Sequence, residues 1–81
     1  ILKALSNINR VRIVKMLSGR GQMSVSEIAE ELDISPKATS KHLIILHNLD
    51  VLSNKGRHNR VEYWLNPALP VDLKKTIKLF I

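Results

Sequence analysis

Apolar residues recur along this chain with two different periods. Up to residue 49 they fall at helical spacing. Val11, Val14 and Leu17 form one stripe, broadened by Ile8 and Ile13, and predict a helix over residues 8–18 with Asn7 as its N-cap. Gly19-Arg20-Gly21 ends that helix, and Ile1, Leu2 and Leu5 before it read as the tail of another. Gln22-Met23 is short and extended. Ser24-Val25-Ser26-Glu27 then matches a capping box, in which a serine hydroxyl takes a free helical N–H and a glutamate reaches back to the cap. Val25, Ile28, Ala29 and Leu32 continue that helix, with Glu27, Glu30 and Glu31 off the stripe. After the tight connection Asp33-Ile34-Ser35 comes the best-marked helix of the chain. Ser35 suits the N-cap and Pro36 the first helical position, where its missing N–H costs nothing. Thr39, His42, Leu43, Leu46 and Leu49 share its buried side, and Lys37, Ser40, Lys41, Ile44 and Asn48 the other.

Beyond Leu49 the period shortens to that of strands. Residues 51–55 predict one strand, and Val61 to Leu65 a second, with Val61, Tyr63 and Leu65 on one side. Lys55 to Arg60 reads as the turn between them, with Gly56 and Asn59 available for positive φ. Asn66-Pro67 stops the hairpin, and a last helix over about 70–81 carries Leu73, Ile77 and Phe80 on one side. The expected fold is mainly α with a small β-hairpin, a single domain over residues 1–81. Two helices joined by so short a turn, over about 24–49, form a helix-turn-helix pattern.

Charge sharpens this picture. The chain of 81 residues has a net charge of +6. Residues 1–34 carry five bases and four acids, whereas residues 35–60 carry five bases and one acid, Asp50. Basic excess confined to one segment is the footprint of a polyanion. The cysteine count is zero, which removes disulfides, thiolate metal sites and thiol redox chemistry. The sequence contains no apolar run of membrane-spanning length and no visible signal peptide, so a cytoplasmic location is expected.

The candidate chemistry lies in that basic segment. Ser35, Lys37, Ser40 and Lys41 put cations and short polar groups on the outer face of a helix's first two turns, which suits phosphates and base edges in a groove of double-stranded DNA. Lys55, Arg57, His58 and Arg60 at the hairpin would add backbone contacts. An ordinary solvated face is the bland alternative; the Ser-Pro cap and the basic hairpin downstream argue against it. His42 and His47 are five residues apart, not the four of a helical metal pair, and no acid or thiol completes a set with them or with His58. Neither metal nor other cofactor is expected. There is no nucleophile–base pairing and no glycine-rich phosphate loop, so the chain does not read as an enzyme. Trp64 falls off the Val61–Tyr63–Leu65 side, and packing is its expected role, since one aromatic does not make a base-stacking platform.

The order of these elements resembles a winged helix-turn-helix, with the hairpin over about 51–66 as the wing. Leu2-Lys3-Ala4-Leu5-Ser6-Asn7 with Arg10-Val11-Arg12-Ile13-Val14, then Ser24-Val25-Ser26-Glu27-Ile28-Ala29 with Ser35, Ser40, His42-Leu43 and Leu46, then Gly56-Arg57 through Arg60-Val61-Glu62-Tyr63-Trp64-Leu65, are similar to the arsenic-repressor (ArsR/SmtB) family of transcription regulators. The resemblance implies a sequence-specific DNA-binding regulator, with the helix after Ser35 in the major groove and the wing on the flanking backbone. It implies a homodimer paired through the first and last helices, here Leu2, Leu5, Leu73, Ile77 and Phe80, on an inverted-repeat operator. The sequence departs from the family in three ways. Ile8 stands where proline usually follows the cap, and Asp50 where glycine usually follows the recognition helix. The family's thiolate pair and its His/Asp metal set are both missing. A winged helix used for protein contact in a larger assembly is the alternative reading.

Overall fold

The computed structural model describes residues 4–70 together with Asp72 and Lys75. Its elements are α1 (Ile8–Arg20), β1 (Gln22–Ser24), α2 (Val25–Leu32), α3 (Pro36–Asn48), β2 (Leu52–Arg57) and β3 (Arg60–Leu65). The three helices pack around one core that a three-stranded antiparallel sheet, in the order β1-β3-β2, closes from the side.

Each helix starts where its cap is written. The Asn7 side chain accepts from the backbone N–H groups of Asn9 and Arg10 at 2.9 and 3.4 Å. Ser24 and Glu27 complete the capping box: Ser24 Oγ accepts from the Glu27 N–H at 3.2 Å, and Glu27 Oε1 accepts from the Ser24 N–H at 2.9 Å. Ser35 Oγ accepts from the Ala38 N–H at 3.0 Å, with Pro36 as the first helical residue.

The helix ends are more specific than the sequence indicates. Gly21, at φ 87°, terminates α1, which runs through Gly19 to Arg20 and two residues past the expected end. At the ends of α2 and α3 an aspartate takes the left-handed conformation usually given to glycine, with φ 56° at Asp33 and 60° at Asp50. Asp33 N–H donates to Glu30 O and Ile34 N–H to Ala29 O; Asp50 N–H donates to His47 O and Val51 N–H to Leu46 O. Both are Schellman closures, which satisfy carbonyls the helix leaves open. Aspartate tolerates this region better than most side chains, so Asp50 fills the glycine position without losing the motif.

The core is drawn from all three helices and the sheet: Ile13, Val14 and Leu17 of α1, Ile28 and Leu32 of α2, Leu43 and Leu46 of α3, with Met23, Val51, Leu52 and Tyr63. Two stripes need correction. Ile8 is 70 % exposed, because it opens the first turn of α1 away from the core. Leu49 is exposed although its N–H still donates to Ile45 O at 3.1 Å: it is the C-cap of α3, past the last residue that the core covers. Val11 is only half-buried.

The hairpin is longer and tighter than expected. Its strands pair from Leu52↔Leu65 to Arg57↔Arg60, leaving a loop of two residues, His58 and Asn59. His58, not Gly56, carries the positive φ (54°) that so tight a hairpin turn requires. β1 pairs with β3 through Gln22↔Trp64, Met23↔Tyr63 and Ser24↔Glu62, which puts β3 in the middle of the sheet. Met23, Leu52 and Tyr63 face the core, and the alternation turns Gln22, Ser53 and Trp64 outward. Trp64 is half-buried on this outward face, beside Gln22, Lys55, Arg57 and Glu62.

Ala4 to Asn7 form turns and bends rather than the expected helix tail, with Ala4 buried and Leu5 half-buried against the domain's own core. Of the expected last helix, Asp72 and Lys75 are helical and exposed. Leu2, Leu73, Ile77 and Phe80, assigned above to a dimer interface, lie outside the described residues.

Candidate nucleic-acid interface

The interface builds from the buried side of α3. Thr39, Leu43 and Leu46 are fully buried there, and the Thr39 hydroxyl donates to Ser35 O at 3.0 Å, so its one polar group is satisfied inside the helix. Locking that side fixes the rotation of the helix. Lys37 and Lys41 then stand exposed, with Ser40 half-buried between them, on one face at i, i+3 and i+4. Ser35 is exposed at the helix start, its hydroxyl committed to the cap. No acidic residue lies in the first turn of α3.

The hairpin is held to the end of this helix. Asn66 Nδ2 donates to Asp50 O at 2.9 Å, and Asn66 N–H to Val51 O at 2.9 Å. Lys55, Arg57, His58 and Arg60 are all exposed. Lys55 stands opposite Glu62 and Arg57 opposite Arg60. By strand alternation Lys55, Arg57 and Arg60 share the outward face with Gln22 and Trp64, while His58 sits in the turn; Gln22, Lys55, Arg57, Glu62 and Trp64 line one shallow cavity of about 160 Å³ on that face.

Acidic neighbours distinguish the four wing residues. Arg60 Nη2 lies 3.3 Å from Glu27 Oε1 and 3.8 Å from Glu62 Oε1. Glu62 is also hydrogen-bonded by Gln22 Nε2. The sequence places Arg60 among the DNA contacts of the hairpin; nothing in the linear order brings Glu27, 33 residues away, beside it. β1 does so: it ends in Ser24, the cap of α2, and pairs with β3. The hydrogen bonds from Ser24 hold the Glu27 carboxyl below the usual carboxylate range, and Arg60 adds to the effect.

The chain matches the profile of the bacterial regulatory protein, arsR family, over residues 7–54. It belongs to the ArsR family. Over 72 residues it is 35 % identical to the transcriptional repressor SdpR of Bacillus subtilis (strain 168), covering 89 % of this chain and 79 % of that one. It is 31 % identical to the arsenical resistance operon repressor of Escherichia coli (strain K12), covering 95 % of this chain and 66 % of that one. Among solved structures, HlyU from Vibrio cholerae N16961 superposes with a TM-score of 0.84 at 31 % identity, over 96 % of this chain and 80 % of that one. This ArsR-family member is accordingly a DNA-binding transcription regulator of winged-helix fold, and not an enzyme.

Names of relatives that speak of arsenic or cadmium do not transfer with the fold. The chain spans 54–66 % of those proteins' lengths, and among the described residues no group of three His, Cys, Asp or Glu side chains could hold a metal ion. Nor is any helix among the described residues long and apolar enough to cross a membrane.

His42 lies half-buried on the inward side of α3. Its Nδ1 is buried and has no hydrogen-bond partner among the described residues, and its pKa is lowered, first by burial and then by the nearby charge of Arg10. Arg10 is itself fixed, donating from Nε to Ala4 O at 3.0 Å and from Nη2 to Ser6 Oγ at 3.2 Å. A folded-state pKa below the unfolded value of about 6.5 means that the unfolded chain takes up the proton first. Stability is therefore expected to fall as pH drops below about 6.5, until the folded state also protonates. Thermal unfolding of the His42→Leu variant should lack that segment of the pH dependence; an unaltered profile would rule out His42 as its source.

Proposed function

We propose that this ArsR-family regulator reads duplex DNA with the first two turns of α3 in the major groove and lays its hairpin along the flanking backbone. The observation that carries the reading is the outward face of Lys37, Ser40 and Lys41 on a helix whose opposite side is fully buried. Cations there meet phosphates, and the small hydroxyl between them leaves room for base edges. Lys55, Arg57 and His58 supply sequence-independent contacts from the wing. Two copies, paired through the chain's end segments with Leu2, Leu5, Leu73, Ile77 and Phe80, present two such helices about 34 Å apart to an inverted repeat. The names of SdpR and of the arsenical resistance operon repressor support repression as the direction of control, and we place its action in the cytoplasm. Neither metal nor other cofactor enters the proposal.

Selection of bound duplexes from a random pool tests binding, palindromy and spacing together. Sites without an inverted repeat would remove the two-helix geometry. Arg57→Ala is expected to weaken binding to all sequences alike and to reduce the slope of log K against log salt by about 0.9 per bound subunit. An unchanged slope would take Arg57 out of the interface.

A further inference from the structure

The wing has three exposed cationic side chains on one sheet face, yet only one of them has acids on both sides. We propose that Glu27 is a positioning residue of the DNA interface: it holds Arg60 away from the phosphates and ties the wing to the support helix, leaving Arg57 and Lys55 as the wing's charged contacts. The inference rests on the DNA-binding reading above and assigns roles within it.

The geometry is that of a shared acceptor. Glu27 Oε1 takes the Ser24 N–H at 2.9 Å and the Arg60 guanidinium at 3.3 Å. One oxygen thus closes the start of α2 and holds the first residue of β3. Glu62, on the same strand, stands 3.8 Å from the same guanidinium and is steadied by Gln22 of β1. Arg60 and Glu27 are both exposed and Glu62 is half-buried; pairs this open to solvent are individually weak. The pair need not be strong for the proposal to hold, because net charge decides. Arg60, Glu27 and Glu62 sum to −1, to zero with Lys55, opposite Glu62, and to +1 with Arg57, opposite Arg60, so the cluster offers phosphate one net cation rather than three. A phosphate approaching Arg60 meets two carboxylates well within the screening length of about 10 Å at 0.1 M salt. No ion pair among the described residues involves Arg57 or Lys55. Glu27 of α2 therefore has a use at the interface: with Glu62 of β3 it subtracts one cation from the wing, and it links the wing to the helix-turn-helix.

Four variants test the roles on one duplex, with salt varied from 50 to 200 mM. Arg60→Ala is expected to leave the salt slope as in the wild type, whereas Arg57→Ala reduces it. Glu27→Gln retains the capping-box hydrogen bond but removes the charge facing Arg60. It should steepen the slope by about 0.9 per bound subunit, an additional loss of about 3.5-fold in affinity per subunit across that salt range. Combining Glu27→Gln with Arg60→Ala should restore the wild-type slope, which a merely structural role for Glu27 would not do. A slope reduced by Arg60→Ala as much as by Arg57→Ala overturns the proposal, as does an unchanged slope in Glu27→Gln. Wild-type protein without salt-dependent duplex binding, or an Arg57→Ala slope equal to wild type, would instead defeat the DNA-binding reading, and this assignment with it.

Discussion

Leu46→Ala is expected to destabilise the domain by about 2–5 kcal/mol, the range for deleting a buried leucine side chain where neighbours cannot collapse into the space. Leu46 is fully buried among the three helices, and its carbonyl closes the Schellman motif that turns the chain toward the wing. A folded unit of this size has about 4–12 kcal/mol in all, so the loss is a large part of the total and should lower Tm by more than about 10 °C. Ile44→Ala is the control: two residues away on the same helix but 52 % exposed, it should stay within about 0.5 kcal/mol. Equal Tm values for the two variants would refute the packing described for α3.

That contrast between Leu46 and Ile44 was readable from helical spacing, as were the three caps, because each is decided within four residues of chain. Thr39, Leu43 and Leu46 inward and Lys37, Lys41 and Ile44 outward follow from one rotation angle. What failed to show depends on contacts distant in sequence. β1 is three residues long and becomes a strand only by pairing with β3, some forty residues later. No local signal announces that partner. The extended Gln22-Met23 is legible but its pairing with β3 is not, so Glu27 reads as a helix cap alone and Arg60 as a wing contact, and the acidic side of the interface stays hidden. Leu49 was assigned inward because its spacing fits; the left-handed turn at Asp50 ends the helix just before it. His58 in the positive-φ position shows a related limit. Glycine and asparagine on either side favour such a turn, but strand register decides which residue occupies it.

Removing both outward lysines of α3 is expected to abolish binding without touching the fold. Lys37 and Lys41 are exposed and alanine is a better helix former, so the doubly substituted Lys37→Ala, Lys41→Ala protein should melt as the wild type does. If each lysine neutralises one phosphate, the slope of log K against log salt falls by about 1.8 per bound subunit, and affinity at 0.1 M salt by about 60-fold per subunit. Leu46→Ala also loses binding, but by depleting folded protein: its slope, measured well below its Tm, should equal the wild type's. Net charge alone is a competing explanation, since a protein of +6 attracts any polyanion. Arg12 and Lys15 separate the two. They are exposed on α1 and line the groove it forms with Glu31 of α2, so removing both makes the same change in net charge elsewhere on the surface. Arg12→Ala with Lys15→Ala should leave the slope nearly unchanged. If that pair lowered it as much as the α3 pair, attraction to DNA would be a property of the whole charge, and α3 would lose its claim to be the reading helix.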